Sequence, residues 1–261
     1  QALIAVGNPD GAERSHHFSY EMVALSHETA RELGHAPAPD SEDARKPFVE
    51  VSGRKGLGVK ADDLIDTLIR KATSEVVKRN PEFTDADAAR VASMLAVAAV
   101  RYIMVKFSRG KVIAFDLGEA LNFTGESGPY IQYAVVRANK IVHNVEERLG
   151  VSEAALVQSL ATMPTTELDG GNGSHDVWAL VLEAARLDDI VEQVIRSLEF
   201  SVLAKWAFSL AQNFSGFYHA APILKEERDD VRRWRAAAVV YVRNQLTRAL
   251  DLMGIEVPAR M

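Results

Sequence analysis

Apolar positions along the chain change their period once, near residue 61, dividing the sequence into a mixed start and a helical remainder. The start opens on an unbroken apolar run at residues 2–6, closed by Gly7-Asn8-Pro9, the pattern of a buried strand. Phe18, Met22, Leu25 and Thr29 then recur three or four residues apart, which predicts a helix over residues 15–33 with Gly34 as its stop. Pro37, Pro39 and a mixed-charge run make residues 35–46 a loop, and residues 47–51 a short strand. Strand, helix and strand in that order read as a fragment of an α/β sheet. A stable parallel sheet needs more strands, covered on both faces, and the pattern expects them upstream of Gln1.

From Ala61 the spacing is helical to the end. Asp62 and Asp63 suit a first turn through the helix dipole, Leu64, Ile65, Leu68 and Ile69 form one apolar face, and Asn80-Pro81 is the stop. Thr84 caps a second helix reaching about Phe107. A short segment at 111–115 and a turn at 122–128 precede a helix from Pro129 to about Leu149. Further helices are expected over 152–160, 175–187, 188–217 and 229–253, with a glycine-rich connection at 165–174. The reading is mainly α, with an α/β remnant at the start and no internal repeat.

Composition narrows the function more than the fold. Hydrophobic residues at 48% and charged ones at 25% of 261 residues are ordinary for a globular chain with ample core. A net charge of −6 argues against indiscriminate nucleic-acid binding but leaves room for a local basic face. The lack of cysteine excludes disulfides and thiolate metal sites and fits a reducing compartment. No unbroken apolar run approaches the roughly 18 residues of a membrane span, so no membrane partner is expected. The start has neither a basic signal-peptide region nor an initiator Met, and reads as a cut inside a larger protein.

Three stretches are candidates for chemistry. Residues 51–60 hold Gly53, Gly56 and Gly58 among the cations Arg54, Lys55 and Lys60, just before a helix. Glycines let backbone N–H groups approach an anion, so the stretch reads either as a phosphate-handling loop or as a solvated connection; the Walker pattern is not met. On the helix after Pro129, Tyr130, Tyr133 and Arg137 share one face, forming either a stacking platform for unpaired bases or an amphipathic packing face. Arg228, Arg232 and Arg235, with Arg243 and Arg248 further along, make a basic stripe on the last helix. That stripe suits a phosphate backbone or a solvated face paired with Glu226, Glu227 and Asp229. Phe214, Phe217 and Tyr218 cluster before Pro222, the two Phe reading as core. His16 and His17 diverge by about 100° on a helix, and with no His pair at ligand spacing no metal site is expected.

Together these stretches resemble the arginyl-tRNA synthetases. Residues 52–66 (Ser-Gly-Arg-Lys-Gly-Leu-Gly-Val-Lys-Ala-Asp-Asp-Leu-Ile-Asp) resemble that family's mobile signature loop. Residues 115–134 resemble the start of its helical anticodon-binding region, and Leu-Met-Gly-Ile-Glu-Val-Pro-Ala-Arg-Met at 252–261 its last residues. The resemblance implies the C-terminal remnant of a Rossmann-like catalytic domain over 1–60, connecting helices over 61–114, and an all-α DALR-type anticodon-binding bundle over 115–261. It implies an ATP-binding loop at Val51, Ser52, Gly53, Arg54, Lys55 and Gly56, with Ser52, Arg54 and Lys55 acting on the pyrophosphate leaving group. Gly53 departs from the pattern where many synthetases carry the loop's second lysine, and Val51 replaces a Met. Tyr130, Tyr133, Arg137 and Met261 match positions that contact the anticodon loop, while Trp234-Arg235-Ala236-Ala237 departs from the terminal module's motif. The implied partners are arginine-accepting tRNA, arginine and ATP with Mg²⁺, in a cytoplasmic monomer. The family's His-rich signature is not in these residues, so no arginine-dependent ATP–pyrophosphate exchange is expected of them alone. The alternative is a non-catalytic RNA-binding or regulatory module derived from a synthetase.

Overall fold

The structure, a computed structural model, describes residues 1–51, 58–163 and 174–261. Its helices are α1 (Ala2–Ala5), α2 (Pro9–Glu13), α3 (His27–Glu32), α4 (Ala61–Arg79), α5 (Asp85–Lys106), α6 (Leu117–Ala120) and α7 (Gly128–Leu149). They continue as α8 (Glu153–Ser159), α9 (Ser174–Ala185), α10 (Leu187–Ser197), α11 (Ser201–Ala220) and α12 (Asp229–Leu252). Strands β1 (Val23–Leu25) and β2 (Ile113–Phe115) pair in parallel, Val23 opposite Ile113. The molecule is mainly α, as the periodicity predicts.

The start of the chain corrects the sequence reading most. Residues 2–6 are not a buried strand but a single exposed helical turn, and among the described residues no neighbouring strand offers them a ladder. The helix expected over 15–33 is instead an extended stretch, β1 and the short α3. The Met22 carbonyl accepts the Ile113 N–H at 3.1 Å, and Glu21 N–H donates to the Arg109 carbonyl at 2.9 Å. Those non-local bonds hold Met22 and Leu25 in extended backbone despite their helical spacing. Gly34 does stop α3, at φ +77°, a conformation that favours glycine. The strand expected over 47–51 reduces to Val49, which exchanges both backbone bonds with Leu25 in an antiparallel bridge.

The helical part follows its local signals. Thr84 accepts the Asp87 N–H to cap α5, and Ser152 accepts the Ala155 N–H to cap α8. The helix expected over 188–217 is two, α10 and α11, separated where Leu198 turns left-handed at φ 56°. Helix α5 also bears on the membrane reading. Although charged residues interrupt its apolar run, it is long and apolar enough to cross a membrane by length and composition, and half of its most apolar window is buried inside the protein.

That burial follows from α5 serving two hydrophobic clusters. Leu95, Ala99 and Ile103 join β1, β2, α4 and α6 in one, whose core residues run from Leu25 to Leu121. Ala98 and Tyr102 face the other, built from α7 to α12. A side chain at Gly128 would strike the Ala98 carbonyl, so glycine at the first turn of α7 allows the two helices to touch. Buried Tyr102 donates to the Ala204 carbonyl at 3.2 Å, and burial beside Glu126 pushes its phenol pKa far up. The tail after α12 ties the clusters together: Ile255 is buried in one, Met261 packs on the other, and the Gln132 amide donates to the Glu256 carbonyl at 2.5 Å.

Candidate nucleic-acid interface

Helix α7 sets the phase of the candidate interface. Ser127 accepts the Tyr130 N–H at 3.2 Å as N-cap, and Pro129 follows in the first turn. From that start Ile131, Val135, Ala138 and Val142 turn inward and are buried. Tyr133 and Arg137, one turn apart, are left at the surface, and Lys140 continues their face.

Helix α11 supplies the opposite wall. Phe214 and Phe217 are buried, as the sequence predicts, and the next residue, Tyr218, lies about 100° round the helix and is 37% exposed. Arg137 stands between the helices. Its Nη2 donates to the Tyr133 hydroxyl at 3.1 Å and its Nη1 to Ser215 Oγ at 3.3 Å. The guanidinium lies 4.7 Å from the Tyr133 ring centroid and 5.4 Å from that of Tyr218. His219 packs edge-on against Tyr218 at 5.7 Å. Hydroxyls and ring faces orient the cation without cancelling its charge. Among the described residues neither Arg137 nor Lys140 has a carboxylate partner. Two accessible rings with an oriented, uncompensated guanidinium suit an unpaired base and its phosphate.

The other predicted site residues divide. Tyr130 is half-buried, its ring 5.2 Å from Phe208 and tilted against it, and it packs on the core. Met261 packs on the cluster around α4 and α5, and no hydrogen bond, ion pair or ring contact joins it to Tyr133 or Arg137. Its neighbour Arg260 pairs with Glu82 and lies 5.0 Å from the Phe83 ring centroid. Val51 is half-buried against the same cluster. Ser52, Gly53, Arg54, Lys55 and Gly56 lie outside the described residues. Among the described residues there is no group of three or more His, Asp or Glu able to hold a metal ion.

The basic stripe on α12 takes its solvated, paired reading. Arg232 and Arg233 bind Asp229 at 2.7 and 2.6 Å, and Arg228 binds Asp230 at 2.8 Å. Buried Arg235 donates to Glu226 at 2.7 Å and to the Pro222 carbonyl at 3.3 Å. Arg243 makes a two-pronged pair with Glu153, at 2.6 and 2.9 Å, and Arg248 reaches Asp188 at 2.9 Å. Hydrogen bonds from Arg233 and then Arg232 hold the Asp229 carboxyl below its ordinary pKa. Tyr218 is the site residue that sequence reasoning missed. Its signal was present, because Phe214 and Phe217 mark the inward face and put Tyr218 off it.

Residues 131–261 match the family model of the DALR anticodon binding domain. Along its whole length the chain is 34% identical to the arginine–tRNA ligase of Pyrococcus furiosus, of which it covers 37%. It is 30% identical to the arginine–tRNA ligase of Deinococcus radiodurans, covering 39% of that protein. The solved structure of Thermus thermophilus arginyl-tRNA synthetase matches all of the chain with a TM-score of 0.72 at 27% identity, over 38% of its own length. The chain thus spans well under half the length of these relatives. Since the family match takes in half of the sequence, the chain belongs to the DALR anticodon-binding domain family.

Proposed function

We propose that the chain is the tRNA-reading part of an arginine–tRNA ligase, and that Tyr133, Arg137 and Tyr218 stack and clamp an unpaired base of the anticodon loop. The observation that carries this is the Arg137 guanidinium, oriented over two exposed rings and, among the described residues, matched to no carboxylate. Lys140, on the same face, takes a neighbouring phosphate. Tyr130 acts through packing on Phe208, and Met261 through the docked tail. In this reading residues 1–60 belong to the catalytic fold, 61–114 connect, and 115–261 form the anticodon-binding bundle, the whole acting as a monomer. The loop at 51–60 meets ATP, with arginine and Mg²⁺ as the enzyme's further requirements; Ser52, Arg54 and Lys55 are its reacting groups.

Titrating arginine tRNA, and a tRNA with another anticodon, into the wild-type chain and Arg137→Ala at physiological salt tests the proposal. The wild type prefers arginine tRNA, and Arg137→Ala loses both affinity and preference. Equal affinity for the two tRNAs, unchanged by the substitution, overturns it.

A further inference from the structure

A cleft between α9 and α12, lined also by α8, stands apart from the platform and draws no residue from α7 or α11. Its volume of about 290 Å³ lies near the lower bound of small-molecule pockets, about 300 Å³. The sequence of α12 makes the hollow. Trp234 and Tyr241 are seven residues apart, so they share one face at about 10 Å along the helix axis. Between them that face carries Ala237 and Ala238, both buried and too short to fill the gap. Trp178 on α9 lines the cleft with its ring 41% exposed. Trp234 and Ala237 also belong to the stretch that departs from the family's terminal motif, so the cleft is built partly from this chain's own residues.

Three exposed residues of the lining carry polar groups, and each offers a hydrogen. The Tyr241 hydroxyl oxygen accepts Gln245 Nε2 at 3.0 Å, which leaves its own hydrogen to donate. Asn244 Oδ1 accepts Arg243 Nε at 3.2 Å and Nη2 at 2.8 Å, which leaves the amide NH₂. The Trp178 indole N–H has no partner among the described residues. Donors beside aromatic and aliphatic walls select a flat apolar molecule with acceptor atoms at its edge. Arg243, next to Asn244, is neutralised by Glu153, so nothing at that edge calls for a charged ligand. We propose that this cleft is a binding site for a neutral two-ring small molecule that accepts hydrogen bonds and donates none. The inference is independent of the anticodon-loop reading above.

Coumarin has that chemistry, and indole is a two-ring molecule of similar shape that donates and does not accept. The test titrates each into the isotope-labelled chain and follows the Nε1–H resonances of its three tryptophans by NMR. Trp206 is the internal control, buried elsewhere with its Nε1 donating to the Glu183 carbonyl at 3.1 Å. Coumarin shifts Trp178 and Trp234 with a Kd on the order of 1 mM and leaves Trp206 in place, while indole binds at least about threefold more weakly. Trp178→Phe keeps a ring and removes the N–H, so it weakens coumarin about threefold and leaves indole unchanged. Ala237→Leu fills the hollow and abolishes binding of both; if circular dichroism shows lost helix, Trp178→Phe decides alone. The proposal is overturned if Trp178 and Trp234 stay still at tenfold that concentration of coumarin, or if Trp206 moves as far as they do. Equal affinity for coumarin and indole overturns the acceptor class. Movement of the two resonances with protein concentration alone would place a second copy of the chain in the cleft and also overturn it.

Discussion

Two faces of the helical bundle display arginines, and they differ in what each arginine touches. On α12 each cation of the stripe is matched to acid: Arg232 and Arg233 to Asp229, Arg235 to Glu226, Arg243 to Glu153 and Arg248 to Asp188. On the α7–α11 face Arg137 meets two phenol rings and two hydroxyls. The first arrangement spends its charge inside the protein, and the second leaves it for a ligand. Counting basic residues would choose α12. Looking at the partners chooses α7, a local exception within a chain of net charge −6.

The comparison is broken most severely at Arg235. Its side chain is 9% exposed, and removing it leaves Glu226 Oε2 and the Pro222 carbonyl without the donor they share. Arg235→Ala is expected to cost about 3 kcal/mol of folding stability, seen as a lower denaturant midpoint. Below that midpoint its affinity for tRNA should match wild type. A specific loss of affinity with stability intact would move Arg235 to the RNA side of the comparison.

Arg137→Ala should do the reverse. Losing the stacked guanidinium is worth about 2 kcal/mol of binding, roughly 30-fold, while folding stability moves by less than about 0.5 kcal/mol. Tyr133→Phe sharpens the point, because it keeps the ring and removes only the hydroxyl that receives Arg137 Nη2. A loss of about threefold is expected, and a loss as large as that of Arg137→Ala would mean that the hydroxyl itself contacts the RNA.

How much of this was legible follows the range of the interactions. Helices α4, α5 and α7 were readable because Asp62 and Asp63, Thr84, and Pro129 act within one turn of their own positions. Tyr133 and Arg137 were readable for the same reason, as neighbours on one helix. The first residues were misread because their conformation is decided elsewhere: Met22 and Glu21 bond to Ile113 and Arg109, some ninety positions away. The break before α11 turns on Leu198, a non-glycine at positive φ, which carries no local signal. Tyr218 lay between these extremes. Its exposure could be deduced from the buried Phe214 and Phe217, but its apposition to Arg137 depends on how α7 and α11 pack. The loop expected at 51–60 includes residues 52–57, which lie outside the described residues.

A smaller effect is expected at Lys140, whose ammonium extends the α7 face and meets no ring or hydrogen-bond partner among the described residues. Replacing it with alanine should weaken tRNA binding only twofold to threefold (an order-of-magnitude estimate) at physiological salt, for any sequence, and lower the slope of log affinity against log salt by about 1. An unchanged slope would remove Lys140 from the phosphate path and confine the interface to the platform.

The smallest effect lies on α12 and tests whether its carboxylates have withdrawn the arginines from RNA. Asp229 accepts Arg233 Nε and Arg232 Nη2, and those bonds depress its pKa in the folded state. A depressed carboxyl stabilises the fold fully above its unfolded pKa of about 4 and loses that contribution as pH falls through its lower folded value. Its side chain is 53% exposed, so solvent screening limits the contribution to a few tenths of a kcal/mol, about 0.5 at most. Asp229→Asn should therefore lower stability slightly at pH 7 and flatten the stability profile below about pH 4, where the wild type converges on it. The same variant frees Arg232 and Arg233 of their nearest negative charge. If the α12 face stands away from the RNA, tRNA affinity stays within about twofold of wild type at pH 7, since released cations outside the contact act only through a screened field. A clear gain in affinity would mean that α12 lies close enough to the RNA for its carboxylates to be holding back a second basic face.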